Sequence, residues 1–320
     1  MVDMSRLFFA TDIHGSERCF RKFINAGRFY KADVLILGGD LTGKAIIPIV
    51  HQPDGTYVSH FIGTKYVLKN PKELNDFEDR VRGAGYYPCV LTPEESERIA
   101  SDKSVLGTLF KRLIIETLER WIALCKEHLR GTNVKVFVTG GNDDEPMVED
   151  LLKKTEDDNI VYCEGKVVWV DDSHEMISTG YSNLTPFECP RDVPEEVLAK
   201  KIEEVVSKVE NMENCIFNMH CPPYGSGLDL APELDKNLKP VIIGGKYNFI
   251  PCGSTAVMNA IKHYQPLLGL HGHIHESPGA VKIGRTLCIN PGSEYTEGIL
   301  KGTVVNLDKK GIKGYILTSG

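Results

Sequence analysis

Seven residues of the types that bind metal ions follow short apolar runs at widely separated places in the chain. They are Asp12, His14, Asp40, Asn142, His220, His273 and His275. The runs that precede them are Leu7–Ala10, Val34–Leu37, Val134–Val138, Ile216–Met219 and Leu267–Leu270. Short apolar runs predict buried strands, and α/β proteins bind ligands at the carboxyl ends of their strands. We therefore predict that the seven side chains meet at one sheet edge and bind metal.

The spacing within two of the motifs adds to this prediction. Asp12 and His14 are two residues apart, and so are His273 and His275. Residues at this spacing in an extended segment point to the same side, so each pair is expected to present both donors together. Four glycines adjoin the ligand residues, namely Gly38, Gly39, Gly141 and Gly272. Because glycine allows sharp turns, the backbone is expected to approach the ions closely.

The number and type of these donors indicate a site for two ions. One ion takes about four to six donors, and two cations ~4 Å apart need an anionic bridge between them. Asp40, which follows a double glycine, is the natural bridge. Nitrogen and oxygen donors without thiolate suit manganese, iron or zinc better than calcium. Such a site hydrolyses phosphate esters, because the cations clamp phosphoryl oxygens and turn a bridging water into a hydroxide nucleophile.

The elements that must position these residues predict a mixed α/β fold. Residues 6–37 predict a strand, a helix capped by Ser16 and a second strand, which is a βαβ unit. Further helices are expected after Pro194 and Ser254. Further strands are expected at 134–139, 166–170, 176–179, 216–219, 267–270, 285–289, 302–307 and 311–317. The last two read as an antiparallel hairpin, so we expect a partly parallel, partly antiparallel sheet covered by helices.

Residues 44–130 interrupt this alternation inside what we predict to be a single domain over residues 1–320. Ile46–Val50 and Thr56–Gly63 flank a Pro-Asp-Gly turn and predict a hairpin, and a strand is expected near 65–68. Thr92 followed by Pro93 predicts the start of a helix, and a long helix is expected from about 105 to 129. Three roles stay open for the hairpin region: a lid over the site, a partner surface or decoration.

Composition excludes several classes of protein. The formal net charge of −7 argues against a nucleic acid partner, which needs a basic face, and leaves a small phosphorylated substrate as the expected partner. No apolar run approaches the ~20 residues of a membrane span, and no charged-then-apolar leader precedes the first strand. The nine cysteines contain no CxxC pair, so reduced thiols in a cytoplasmic protein are expected. The oligomeric state stays open, a homodimer included.

The order of these motifs resembles a known family. The motifs are Asp12-x-His14, Gly39-Asp40, Gly141-Asn142, His220, Gly272-His273-x-His275 and, after the last histidines, Asn290-Pro291-Gly292-Ser293. Over residues 6 to about 295 this series closely resembles the calcineurin-like metallophosphoesterases, in particular those of bacteria and archaea. The resemblance implies a four-layer αββα sandwich, an α/β fold in which helices flank two mixed β-sheets. It also implies two ligand sets that share Asp40, one with Asp12, His14 and His275 and the other with Asn142, His220 and His273.

One position departs from the family pattern. The family motif usually reads Gly-Asn-His followed by an acid, whereas this chain has Asp143 and Asp144 after Asn142. The missing histidine normally acts near the scissile phosphate, and a general acid contributes roughly 10²–10⁴ in rate. A free Asp has a pKa near ~3.9 and is ionised at pH 7, so Asp143 is an imperfect replacement. Either the site favours leaving groups that need no strong protonation, or another residue donates the proton, and His271 is the candidate.

Asp143 and Asp144 have a second interpretation, since acids favour helix N-termini and a helix is expected near Pro146. Functions of other classes also remain as alternatives. A metal-dependent nuclease would use the same core, although the acidic balance counts against it. A non-catalytic metal-binding scaffold for protein interaction would explain the altered motif, although all seven ligand positions are intact. The expected function is a metal-dependent phosphoesterase that acts on diesters, such as a cyclic nucleotide, or on monoesters.

Overall fold

The computed structural model describes residues 4–320, and within them strands and helices alternate along most of the chain. The strands are β1 (Ser5–Ala10), β2 (Val34–Gly38), β3 (Ile46–His51), β4 (Tyr57–Phe61), β5 (Thr64–Leu68), β6 (Tyr87–Leu91), β7 (Lys135–Thr139), β8 (Ile160–Tyr162), β9 (Val167–Trp169), β10 (Glu175–Thr179), β11 (Ser182–Asn183), β12 (Asp192–Val193), β13 (Ile216–Met219), β14 (Leu230–Pro232), β15 (Ile242–Ile243), β16 (Lys246–Tyr247), β17 (Phe249–Pro251), β18 (Leu268–Leu270), β19 (Gly279–Ile283), β20 (Thr286–Asn290), β21 (Lys301–Asp308) and β22 (Gly311–Ser319). The helices are α1 (Glu17–Tyr30), α2 (Pro71–Gly83), α3 (Pro93–Ser101), α4 (Lys103–Leu129), α5 (Pro146–Thr155), α6 (Glu195–Val206) and α7 (Thr255–Tyr264).

Two six-stranded sheets form the centre of the fold. The first has the order β22-β21-β1-β2-β7-β8, and the second has the order β19-β20-β18-β13-β10-β9. In the first sheet, β1, β2, β7 and β8 are parallel, whereas β21 and β22 are antiparallel to their neighbours. In the second sheet, β10, β13, β18 and β20 are parallel and the two outer strands are antiparallel. The two mixed sheets that the family resemblance implies are therefore present, whereas the pattern of elements alone had indicated one mixed sheet.

The alternation of side chains along the strands builds three apolar layers. In β1, Phe8 packs towards α1 and α4, whereas Phe9 packs between the sheets. The outer layer of the first sheet includes a stacked pair of rings, Phe20 of α1 and Trp121 of α4, with centroids 4.4 Å apart. On the far side of the second sheet, α6 and α7 cover Phe217. Helix, sheet, sheet and helix follow one another, which confirms the α/β sandwich.

The segment between β2 and β7 forms a smaller layer of its own. Its sheet has the order β5-β4-β3-β6, and α2 and α3 pack on its core. The β3–β4 hairpin and the helix that starts after Thr92 are both as predicted, and Thr92 forms a capping box with Glu95. Helix α2 and strand β6 were not predicted. Asn70 caps α2 and Pro71 occupies its first turn, which is a usable N-terminal signal in the sequence.

Two observations bear on the composition. Within residues 4–320, no helix combines the length and apolar character that a membrane crossing needs. All nine cysteines are free thiols, and seven of them are buried.

Candidate metal centre

The first sheet supplies four of the seven predicted ligands. Asp12 and His14 follow β1, Asp40 follows β2 and Asn142 follows β7, and these three strands are parallel neighbours. All four residues are buried. The parallel register brings the carboxyl ends of the strands to one edge, as the sequence predicts.

The other three ligands come from the second sheet. His220 follows β13, and His273 and His275 follow the neighbouring parallel strand β18. Gly272 N–H donates to the carbonyl of His220 at 2.9 Å, which ties the two loops together. The prediction of a single sheet edge is therefore wrong in one respect, because the residues meet where the carboxyl ends of two sheets face each other.

The backbone at the ligands is not extended, and this corrects the prediction made from the two-residue spacing. Asp12, His14, Asp40 and His273 all have positive φ angles, of 53°, 38°, 51° and 66°. Side-chain-bearing residues adopt this left-handed region infrequently, with Asp and His among those enriched there. Such strained positions concentrate at functional sites. The paired donors therefore meet through tight turns after each strand rather than through strand alternation.

Two glycines allow the loops to approach as closely as they do. A Cβ atom on Gly141 would lie 2.0 Å from Oδ1 of Asp40, and one on Gly272 would lie 2.3 Å from Oδ2 of Asp12. No side chain fits at either position without moving a ligand. These glycines therefore let the ligand loops approach one another closely, while a close approach to ions stays a prediction.

The two carboxylate oxygens of Asp40 face different groups of ligands. Oδ2 lies 3.6 Å from Nε2 of His14, and Oδ1 lies 3.4 Å from Nε2 of His220. His14 belongs to a group with Asp12 and His275, whose ligand atoms all lie within 4.8 Å of one another. Asp40 can therefore reach both ligand groups at once, as a bridging carboxylate would.

Each of the two groups has a compact set of donor atoms. In the first, Nε2 of His14 and Nε2 of His275 are 3.2 Å apart, and Nε2 of His275 lies 3.4 Å from Oδ1 of Asp12. In the second, Asp40, His220 and His273 place their ligand atoms within 4.8 Å of one another. These six residues divide as the family resemblance implies, while their binding of metal stays a prediction.

Hydrogen bonds leave several donor atoms free to coordinate a cation. Nδ1 of His220 lies 3.0 Å from the carbonyl of Gly38, to which it can donate, while Nε2 is buried without a hydrogen-bond partner. The amide nitrogen of Asn142 donates to Asp192 at 2.8 Å, and its Oδ1 is likewise buried and unpartnered. A buried polar atom without a partner costs free energy, which a cation would relieve. The donor set therefore fits metal ions, and its N/O character fits manganese, iron or zinc.

The electrostatics of the cluster are those of closely packed, buried ionisable groups. Burial raises the pKa of Asp12, but the charges of His220 and His275 outweigh burial and lower that pKa to about 2. Burial lowers the pKa of His14 to about 3 and that of His273 to about 4. For His220, burial also disfavours the charged form, yet the neighbouring carboxylates outweigh it and raise the pKa to about 9. A cation that binds here must therefore displace a proton from His220.

Asp143 lies at the mouth of the cluster. Its backbone N–H donates to Oδ1 of Asp40 at 3.0 Å, and its carboxylate oxygen lies 3.8 Å from Nδ1 of His14. The ammonium group of Lys44 forms an ion pair with this carboxylate. Burial and the charge of Asp40 raise the pKa of Asp143, whereas Lys44 opposes them. The ion pair with Lys44 favours the charged form of Asp143, which has no proton to donate.

Neither acid caps the helix that starts at Pro146, so that interpretation is wrong. The N-cap residue is Glu145, which makes no side-chain capping bond. Asp144 is fully buried and accepts hydrogen bonds from the backbone N–H groups of Leu41 and Gly141 and from Thr42. Asp144 thus joins the loop after β2 to the loop after β7, which carry two of the ligands.

His271 is not among the residues that meet at the cluster. Its side chain is fully buried, and Nδ1 lies 2.9 Å from the carbonyl of Met219. Its Nε2 lies on the same face of β18 as Gly269, 2.7 Å from the position of a Cβ built on that glycine. Gly269 pairs with Cys288, which belongs to the apolar layer between the second sheet and helices α6 and α7. Burial lowers the pKa of His271 to about 4. Its ring is therefore a neutral imidazole at neutral pH, and its single N–H donates to Met219. Because the ring also lies on the side of the sheet that faces α6 and α7, the structure argues against the predicted role as a proton donor.

Sequence reasoning missed several residues that support the site. Lys44 could have been noticed because it follows Asp40 by only four residues. The ring of Tyr295 lies 4.7 Å from that of His14. Arg191 donates to the carbonyl of Gly141 at 3.0 Å. These contacts arise from the tertiary structure, and no local sequence pattern predicts them.

Comparison with known proteins supports the fold and leaves the activity open. No protein-family model matches the chain. A segment of 118 residues is 31% identical to the uncharacterized protein MJ1162 of Methanocaldococcus jannaschii, over 36% of this chain and 47% of that protein. The chain thus spans about half the length of the curated relative that it matches.

Solved structures resemble the whole chain. One crystal structure aligns over 99% of both chains with 17% identity and a TM-score of 0.59. The protein TT1561 of Thermus thermophilus aligns over 99% of both chains with 14% identity and a TM-score of 0.54. At these identities the likeness shows a shared fold, and the function has to be argued from the site.

Proposed function

We propose that this protein is a dinuclear metal-dependent phosphoesterase. The observation that carries the proposal is Asp40, whose two carboxylate oxygens face His14 on one side and His220 on the other. A buried carboxylate shared between two imidazole-rich groups is the arrangement that two neighbouring cations require. The buried Nε2 of His220 and Oδ1 of Asn142 support it, since neither atom has a hydrogen-bond partner.

The chain's own residues prepare this site before any ion binds. The carbonyl of Gly38 holds the His220 ring in the orientation that leaves Nε2 as the coordinating atom. Asp192 accepts from the Asn142 amide and so directs its Oδ1 away from that contact. When bound, two cations would supply Lewis acidity towards phosphoryl oxygens and towards an attacking water.

The position beside Asn142 favours particular leaving groups. Asp143 is paired with Lys44 and carries no proton to give to a departing alkoxide. We therefore expect esters with good leaving groups, such as aryl esters, to react faster than alkyl esters. The choice between diesters and monoesters is a separate matter, and it depends on which groups meet the remaining phosphoryl oxygens.

Manganese binding and turnover together test the proposal. Calorimetric titration of metal-stripped protein should show two equivalents of manganese, and the loaded protein should hydrolyse p-nitrophenyl phosphate or its bis-ester. His220→Asn should lose one equivalent and most of the turnover. His51→Asn, which changes an exposed histidine on β3, should retain both. Wild-type protein that binds no manganese and turns over neither ester would refute the proposal.

A further inference from the structure

A lysine–aspartate ion pair stands at the entrance of the metal centre. The side chain of Lys44 is 43% exposed and that of Asp143 is 24% exposed, so both reach solvent beside fully buried ligands. Asp143 is held close to the cluster by its N–H bond to Asp40 and by its nearness to His14. An anionic substrate that approaches the cluster from this side therefore meets this pair.

The backbone before Lys44 is anchored firmly. Leu41 and Thr42 donate their N–H groups to the buried carboxylate of Asp144, and Gly43 donates to the hydroxyl of Tyr87 at 2.8 Å. The loop is thus fixed at three successive residues, while the Lys44 side chain ends in solvent. The ammonium group can change partner without any movement of the loop.

The charge of Lys44 acts on the ligands themselves. Burial has the largest influence on both pKa values, raising that of Asp40 and lowering that of His14, and the ammonium of Lys44 lowers each of them. By contrast, Arg191, the other basic side chain near the Asn142 loop, is buried and committed to Glu164 and to the carbonyl of Gly141. Lys44 is therefore the basic group placed to meet a substrate.

We propose that Lys44 binds the third non-bridging oxygen of a phosphate monoester, which makes monoesters the preferred substrate class. This inference rests on the proposed function, in which two cations take two phosphoryl oxygens. A diester has only two non-bridging oxygens, so it leaves none for Lys44, whereas a monoester or inorganic phosphate has one more. Lysine binds phosphate as a point charge. Asp143 holds the ammonium in place before substrate arrives, and its own negative charge disfavours any phosphate that Lys44 does not neutralise.

Binding of two simple probes to manganese-loaded protein tests the proposal without turnover. Inorganic phosphate represents the monoester, and dimethyl phosphate represents the diester. Lys44→Met should weaken phosphate binding about tenfold to hundredfold, as expected for a lost charge-assisted hydrogen bond, and should change dimethyl phosphate binding little. Lys44→Arg should retain most of the phosphate affinity. Lys111→Met removes a lysine of similar exposure that pairs with Glu145 on the surface, and it should have no effect.

A double variant gives a second, independent test. Asp143→Asn should tighten phosphate binding because it frees the ammonium, and the pair of changes together should bind phosphate better than Lys44→Met alone. If Lys44→Met binds two manganese ions but loses no affinity for phosphate, or loses as much for dimethyl phosphate, the inference is overturned while the proposed function stands. If the wild-type protein binds no manganese, both are overturned.

Discussion

Arg191 makes a buried ion pair with Glu164 next to the loop that carries Asn142. The two side chains are 5% and 7% exposed. Arg191 also donates to the carbonyl of Gly141 through its side chain and to that of Asn142 through its backbone, each at 3.0 Å. We predict that Arg191→Met lowers the free energy of unfolding and weakens manganese binding, because the loop loses its anchor.

The size of the expected loss in unfolding free energy depends on the hydrogen bonds that Glu164 keeps in the variant. Removal of one partner from a buried ion pair costs about 3–5 kcal/mol, since it leaves an uncompensated charge. Glu164 keeps donors from the hydroxyl of Thr139 at 2.9 Å and from the N–H of Gly180 at 3.0 Å. These bonds partly satisfy the carboxylate, so we expect the lower end, about 3 kcal/mol. Combination with Glu164→Gln removes the stranded charge and should restore part of the loss.

Urea denaturation followed by circular dichroism measures the change in the free energy of unfolding, and calorimetry measures manganese affinity in the same variants. Lys153→Met is a matched control, because it breaks an exposed i,i+4 pair with Glu149 and should cost only about 0.3–0.5 kcal/mol. An Arg191→Met loss no larger than that of the control, with unchanged manganese affinity, would refute the reasoning.

Three further predictions concern single positions. Asp143→His should raise the hydrolysis of alkyl esters by about 10²-fold or more through proton donation, with little change for aryl esters; equal rates for both would mean that this position is not catalytic. Gly141→Ala should abolish manganese binding because its Cβ would lie 2.0 Å from a ligand oxygen. The control is Gly107→Ala, because Gly107 lies on α4 with open space around it. This variant should bind two ions and gain up to about 1 kcal/mol of stability. Burial favours the neutral form of Asp171, but hydrogen bonds from its histidine partner and nearby N–H groups outweigh it and lower its pKa to about 2. The charge of Asp171 therefore stabilises the fold above the ordinary Asp pKa, and this stabilisation is lost as the pH falls through about 2. Asp171→Asn should lower the free energy of unfolding by about 1 kcal/mol at pH 7 and leave it unchanged in acid. A difference in unfolding free energy between variant and wild type that persists at pH 2 would contradict this.

Much of the site could be predicted because strand periodicity is local information. The apolar runs before Asp12, Asp40 and His220 form parallel strands, and strand ends converge by geometry alone. The turn conformations could not be predicted in this way. Two-residue spacing indicated extended segments, whereas Asp12 and His14 both have positive φ because their loops fold back onto the neighbouring strand.

Tertiary context explains the other misses. Pro88 argues against a strand over residues 87–91, yet β6 lies at the edge of its sheet, where proline is tolerated. Lys44 carries no periodic signal, and its position beside Asp143 depends on the anchoring of its loop by Asp144 and Tyr87. His271 lies between two ligand motifs in the sequence, but its ring lies on the face of the second sheet that α6 and α7 cover. Adjacency along the chain was a poor guide to adjacency in space at this position.

The division of the ligands between two sheets also determines when metal can be acquired. Asp40 belongs to one sheet and His220 to the other, and 182 residues separate the latter from its hydrogen-bond partner Gly38. Neither sheet alone offers a complete set of donors, so the cations cannot act as an early template for the chain. Cations bound as proposed would be captured only after the two halves have docked, and they would then hold the halves together. Metal dissociation and separation of the two sheets would become thermodynamically coupled events.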